Sequence, residues 1–473
     1  MRSIELAVVG AGPAGLAAAA LADALGLETM LIDEQAGPGG RIITNSRAAA
    51  KKNPVSPDER LGRSLVAELN SSRVDYRPST TVWHIEPDGT LYLSASGETE
   101  TVSAHRVVLA PGAIERPVPI PGWTLPGVMA AGAAQILLHK SNLVPEGPTV
   151  LAGQGPLLYV VANELACAGA PPVMILDTAP LPNYCEAVSI MRKNRPSRHL
   201  LLAGLKSLWA LRRAGIRVRR ASCGLRAIGR GTLQRVAWGG GETAADHLLL
   251  HEGMIPNVQI SRAMGLHHNW NDAQRSWRPT LDIWGQTSLP CVAVAGDAGA
   301  IIGPDAAALS GKLAALDAAN LLGRIGEGER DHRARPIRAA LDRQNAGRCF
   351  FDYLHRPSDP VLFPADDETI VCRCEDVSVG RVRQAARLGA SGPNQLKAFT
   401  RCGMGPCQGR ICGPIATAVI AETVGKPIAE IDSGRPRAPF KPITLGALAG
   451  VQLPNTEHWD RGSETRGTTG SKV

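Results

Sequence analysis

The first 34 residues constrain the fold more than any other part of the chain. Ile4-Glu-Leu-Ala-Val-Val-Gly10-Ala-Gly12-Pro13-Ala14-Gly15 is an apolar run closed by three spaced glycines, and Leu-Ala-Ala-Ala-Ala follows. This pattern predicts a buried strand, a tight turn and a helix. Gly10 makes the turn, Gly12 lets the backbone reach a pyrophosphate, and Gly15 lets helix pack on strand. The start of the helix then offers free N–H groups to the anion. A second strand, Thr29-Met-Leu-Ile, ends in Asp33 and Glu34. These acids stand about 20 residues on, where a carboxylate accepts from ribose hydroxyls, and one register step separates the two candidates. A lone glycine motif is often only a turn. The whole unit of strand, turn, helix, strand and acid points to a dinucleotide-binding α/β domain.

A second unit of the same kind begins at Pro148-Thr-Val-Leu-Ala-Gly153-Gln-Gly155-Pro-Leu-Leu158 and leads through a helix to Pro172-Val-Met-Ile-Leu-Asp177. Here the pattern is broken, because Leu158 stands where the third glycine would let helix approach strand. A distorted cradle and a degenerate NAD site are expected, and Asp177 argues against a 2′-phosphate on any nucleotide that does bind.

Near the C-terminus, Cys372-Arg-Cys374 and Cys402-Gly-Met-Gly-Pro-Cys407-Gln-Gly-Arg-Ile-Cys412 gather half of the chain's 10 cysteines. An iron–sulfur site accounts for this, since each iron of a [2Fe-2S] centre takes two thiolates and a C-x-C pair facing a second pair supplies them. Structural zinc is the rival. Its usual spacings fit Cys407 and Cys412 but not the single residue between Cys372 and Cys374. Gly403, Gly405, Gly409 and Gly413 suit a backbone that wraps closely and turns N–H groups toward sulfur.

Val371-Cys372-Arg-Cys374-Glu-Asp-Val, a helical segment from Arg381 to Leu388, and Thr400-Arg-Cys402 through Cys412-Gly resemble the bacterioferritin-associated-ferredoxin type of [2Fe-2S] domain. The version in the opine oxidase A subunits, the hydrogen cyanide synthase B subunits and anaerobic glycerol-3-phosphate dehydrogenase is the most similar. That resemblance implies Cys372, Cys374, Cys407 and Cys412 as ligands, with Cys402 as the alternative. Other segments resemble flavoproteins and imply FAD. Gln35-Ala-Gly37-Pro-Gly39-Gly40-Arg41 looks like the glycine pair after the second strand of flavoprotein reductases. Leu109-Ala110-Pro111-Gly112 looks like a flavin-family segment in which Pro111 replaces the usual threonine and removes a hydroxyl and a backbone donor. The strand closing in Gly296-Asp297 resembles the place where an aspartate holds the FAD ribityl chain. The plain alternative is that Asp297 caps a helix starting near Pro304, and the occurrence of all these motifs in order speaks against it. Leu249-Leu-His-Glu-Gly-Met-Ile-Pro256-Asn257 looks like the flavin-return segment of thioredoxin-reductase-like proteins, which makes the second unit an insertion.

The fold class expected is α/β, a flavoprotein with two thioredoxin-reductase-like Rossmann domains and a small C-terminal helical [2Fe-2S] domain. Length suggests about three domains. The expected divisions are 1–122 and 263–345 for the FAD domain, 123–262 for the insertion, 346–430 for the cysteine domain, and 431–473 for an extension with a disordered tail. No apolar run suits a membrane span, and the apolar N-terminus is taken up by the nucleotide unit. Unpaired cysteines beside an iron–sulfur motif suit a reducing cytoplasm. The net charge of +8 is modest. The basic runs Arg192–Arg195, Arg212-Arg213 and Arg217–Arg220 carry no aromatic platform, so they are expected on solvated faces and nucleic-acid binding is not expected.

No C-x-x-C lies between the flavin motifs, which excludes a stand-alone disulfide reductase. Cys167, Cys185, Cys223, Cys291 and Cys349 are isolated and expected to be buried or inert. His267-His268 has no evident partner, so no general base is named and the catalytic residues are unknown. Resemblance to the opine oxidase and cyanide synthase group runs to about residue 450. It implies an oxidoreductase subunit that carries electrons through flavin and cluster, working with an amino-acid-oxidase-like flavoprotein subunit on opines, hydroxyproline, glycine or related substrates. It also allows a second flavin, FMN, at an interface between subunits and a further small subunit. Two alternatives remain open, a self-sufficient NADH-dependent FAD/[2Fe-2S] reductase and a scaffold that holds its nucleotide structurally.

Overall fold

Strand Arg2–Val9 lies at the centre of a seven-stranded sheet in the computed structural model, which describes residues 2–41, 57–193, 209–221 and 223–451. It pairs in parallel with Thr29–Ile32 on one side and Glu98–Leu109 on the other. Asp75–Arg77 extends one edge, and Val292–Val294 returns from much later in the chain to pair in parallel with Glu98–Leu109. The sheet is therefore closed by two separate stretches of sequence. Helices Pro13–Ala24 and Pro304–Leu321 pack together over it through buried alanines, Ala14, Ala18, Ala22, Ala307, Ala314 and Ala318 among them. The contact is so close that a Cβ on Gly311 would collide with the carbonyl of Ala14.

The second sheet is parallel throughout, in the order Arg217–Arg220, Met174–Asp177, Thr149–Gln154, His247–Glu252 and Val128–Ala130. Short strands Ala113–Glu115 and Met254–Pro256 pair antiparallel and carry the chain out to this sheet and back. The third core lies around the hairpin Ile370–Cys372 and Val377–Ser378 and helices Val379–Arg387, Pro393–Thr400 and Gly413–Val424. Trp123 ties it to the insertion by donating to the carbonyl of Ile370 at 2.7 Å, with Arg373 over its ring at 5.1 Å.

Past the cysteine region the chain turns back to the first sheet. Phe440 is fully buried in the core under that sheet, and its N–H donates to the Trp83 carbonyl at 3.0 Å. Truncating such a side chain to alanine costs about 3–5 kcal/mol. The tail from residue 452 onward lies outside the described residues, as do Asn194, Arg195 and the side chains of Arg192 and Cys349.

Two expectations change. Cys167, Cys185 and Cys223 are exposed rather than buried, because each sits on a solvent-facing helix side or loop, and Cys291 is half-buried. His268 does have partners: Nε2 lies 2.9 Å from Ser261 Oγ and Nδ1 lies 2.7 Å from the Leu266 carbonyl. Burial pushes its imidazole down to about 3, so it is a neutral structural group. Arg217–Arg220 lies exposed along the sheet edge, as expected. Among the described residues no helix is long and apolar enough to cross a membrane.

Candidate functional site

The first glycine turn is open where a ligand would enter. A Cβ on Gly12 meets nothing within 4 Å, whereas one on Gly10 would strike the Ala110 carbonyl and one on Gly15 the Gly10 carbonyl. Gly10 and Gly15 are therefore needed by the fold, and Gly12 leaves space above the turn. Helix Pro13–Ala24 has no side-chain cap and no acid in its first turn, so its leading N–H groups are left to a ligand. The N–H of Gly39 donates to the Ala11 carbonyl at 2.8 Å, and a Cβ on Gly40 would meet Gly12 Cα at 3.0 Å. The glycine pair thus forms one wall of the turn, with exposed Arg41 beside it. These features fit a bound dinucleotide pyrophosphate.

The two acids after the second strand have different surroundings. Asp33 is buried and accepts from the N–H groups of Ala11 and Gln35, and burial raises its carboxyl against those two donors. Glu34 is exposed and pairs with Lys441 at 2.6 Å. Asp297 Oδ1 accepts from Ile302 N at 2.8 Å and Gly303 N at 3.0 Å, just ahead of helix Pro304–Leu321. Asp297 thus orders the turn ahead of the helix rather than capping it, since the helix start at Gly303 has no side-chain cap, and a second carboxylate oxygen is left for other partners. Ala110 and Gly112 follow strand Glu98–Leu109, with Ala110 N donating to Val9 O and Gly112 at φ +68°.

In the second unit the corresponding positions are filled from inside. Leu158 is fully buried among Leu151, Leu249 and Ala134. Gln154, between the two glycines, donates to Glu252 at 2.8 Å and to the Arg356 carbonyl at 3.3 Å. Thr178 also donates to Glu252, whose carboxyl burial pushes up. Asp177 accepts from Tyr184 at 2.8 Å and Tyr159 at 3.1 Å. Asn183 donates to the carbonyls of Leu354 and Arg356, so the end of helix Glu327–Leu354 lies across the mouth of this unit. Sequence reading found Leu158 but not this closure. Asn183 and Arg356 are far apart in the chain, and neither belongs to a motif.

All five clustered cysteines meet at one place. The sulfurs of Cys372, Cys402 and Cys412 lie within 4.8 Å of one another and are buried. Hydrogen bonds from the Cys402 and Cys412 thiols hold Cys372 far below the usual thiol range. The same sharing pushes Cys402 up to about 12 and Cys412 higher still. Cys374 is raised by burial and by Cys407 beside it. Cys372, Cys374, Cys407 and Cys412 line one cavity of about 300 Å³, while Cys402 and Cys412 border another. A Cβ on Gly405 would strike the Cys374 Cβ, which explains that glycine, and Gly403 and Gly409 have positive φ. Gly413 has no neighbour that demands glycine. This set of sulfurs fits thiolate ligation of iron or zinc.

Residues 4–311 match the model of the pyridine nucleotide-disulphide oxidoreductases, and residues 366–451 match that of the sarcosine oxidase A3 domain. The chain is 40% identical to the opine oxidase A subunit of Agrobacterium tumefaciens (strain Ach5), with 96% of this chain and 92% of that one covered. It is 31% identical to hydrogen cyanide synthase subunit HcnB of Pseudomonas protegens, with 94% and 97% covered. Among solved structures, L-proline dehydrogenase from P. horikoshii has a TM-score of 0.69 at 21% identity and covers 94% of this chain and 79% of its own. Thioredoxin reductase from T. acidophilum has a TM-score of 0.50 at 17% identity, covering 68% and 100%. The structural likenesses speak for the fold alone. The sequence matches and the glycine cradle together say more: the chain belongs to the pyridine nucleotide-disulphide oxidoreductase family, among the opine oxidase A subunits.

Proposed function

We propose that the chain is the flavin and [2Fe-2S] electron-transfer subunit of a heteromeric amino- or imino-acid dehydrogenase. The observation that carries this reading is the pairing, in one chain, of an open glycine cradle at Gly12 with a five-cysteine centre, while the second nucleotide unit is occupied by its own side chains. The relatives' names support it, since opine oxidase A, HcnB and sarcosine oxidase alpha are all called subunits. FAD at the first turn supplies the step between electron pairs and single electrons, and a [2Fe-2S] centre supplies single-electron transfer.

In this reading Gly12 and the first turn of helix Pro13–Ala24 hold the pyrophosphate. Asp33 keeps the turn in shape, Asp33 or Glu34 meets the ribose, and Asp297 faces the ribityl chain. Cys372, Cys374, Cys407 and Cys412 hold the irons, supported by the single cavity they share, with Cys402 packed behind them. Oxidation of the C–N bond belongs to a partner flavoprotein subunit.

The test is dye-linked turnover of amino and imino acids by the purified chain and by the chain co-expressed with an oxidase-like partner. The complex is expected to turn over and the single chain not to. Turnover by the single chain would remove the need for a partner.

A further inference from the structure

Between helix Gln259–Ala263, the hairpin of His268–Asn271 with Ser276–Pro279, and the cysteine domain lies a cavity of about 100 Å³ whose lining includes Arg116, Arg262, Arg275, Lys397 and Arg410 but no carboxylate. Among the described residues, Arg262 Nε and Nη2, Ser276 Oγ, Trp277 Nε1 and Ser433 Oγ are buried without a hydrogen-bond partner, and all four residues line this cavity. A buried polar group left unmade costs about 1–3 kcal/mol, more if charged, so such atoms seldom collect in one place without a ligand.

We infer that this cavity binds a small oxyanion, a phosphate or a carboxylate. Arginine and indole N–H groups donate only, so their ligand must accept. The Arg262 guanidinium sits 4.8 Å over the Trp277 ring, which fixes the direction of its fork. Nη1 reaches exposed Asp432 at 3.7 Å, leaving Nε and Nη2 toward the cavity. Burial lowers this guanidinium to about 10 against the opposing attraction of Asp432.

The other cations already have partners. Arg116 donates to the carbonyls of Glu252, Gln274 and Arg275. Arg410 donates to Gln259 at 2.9 Å, Lys397 to the Arg435 carbonyl at 3.4 Å, and Arg275 pairs with Asp359 at 2.7 Å. They contribute positive potential, and Arg262, Ser276 and Trp277 contribute the direct contacts. The volume is far below the roughly 300 Å³ at which pockets for larger ligands begin, so a nucleotide is excluded and a single anionic group fits. Cys402 and Cys412 form part of the wall, which places the anion's charge beside the cysteine centre.

The test is thermal unfolding and calorimetric titration of the full chain, as purified with its cofactors, against phosphate and acetate at ionic strength held constant with chloride. A saturable rise in Tm with at least one anion is expected, and the anion that gives it identifies the group. Trp277→Phe keeps an aromatic ring under Arg262 and removes one donor, so it should weaken binding about tenfold, read as the anion-induced shift against the same variant in chloride. Arg262→Met should abolish the response. No saturable response to either anion, or equal affinities in wild type and Trp277→Phe, would overturn the inference.

Discussion

The two nucleotide-binding units are built from the same parts, and only the first leaves open space at its middle glycine. Neither helix start carries a side-chain cap, and at the first the middle glycine faces open space. At the second, the matching glycine is Gly155, where a Cβ would meet the His251 ring at 3.3 Å, Gln154 beside it bridges Glu252 and the Arg356 carbonyl, and the ribose-side acid Asp177 is held by two tyrosines. A Rossmann unit thus remains folded without a ligand when its own side chains supply the hydrogen bonds that a nucleotide would otherwise make. We propose that the first unit works and the second is structural.

The largest expected effect comes from Gly12→Val. The added side chain occupies ligand space and strikes no protein atom at its Cβ, so folding is kept while FAD affinity falls by about 100-fold or more. Flavin released from the purified variant measures this, and full FAD occupancy would break the comparison. Cys412→Ser and Cys407→Ser should each remove the visible and paramagnetic cluster signals, while Cys402→Ser keeps them. An iron-free Cys402→Ser protein would move Cys402 into the ligand set with Cys372 and Cys412.

Leu158→Gly restores the glycine pattern of the second unit. It should cost about 2–5 kcal/mol, because it empties a packed core site, and Tm would report that loss. No NADH binding should appear, since Gln154, Asp177 and residues 354–356 keep their internal partners. Recovery of tight binding would show that Leu158 alone closes the site.

The smallest effect is in the pH dependence of stability. His355 stacks on Phe351 beside the second unit, and burial lowers its imidazole from 6.5 to about 4. A depressed folded value means that its contribution is present above pH 6.5 and is lost as pH falls toward 4. His355→Phe should flatten the fall of Tm across that window, and an unchanged slope would remove His355 as its cause.

The first unit was legible because its signal is local. Gly10, Gly12, Gly15 and Asp33 sit within 24 consecutive residues, and each answers to a backbone constraint that a sequence displays. The cysteine centre was legible from spacing, but its depth was not. Cys402 joins Cys372 and Cys412 only because helix Gly413–Val424 packs on helix Val379–Arg387 in the core that also holds Cys372. The closure of the second unit was half legible. Leu158 breaks a pattern within the motif, whereas the contacts of Gln154 and Asn183 with residues 354–356 arise from packing between distant segments. The cavity at Arg262 and the burial of Phe440 beneath the first sheet have the same origin.

Rapid mixing of the FAD-loaded, partner-free chain with NADH, followed by flavin absorbance, tests the contrast between the units most directly. Slow reduction whose rate shows no saturation with NADH is expected. Fast, saturable bleaching that disappears on mutation of the Gly153–Gly155 turn would contradict it and make the second unit a working NADH site.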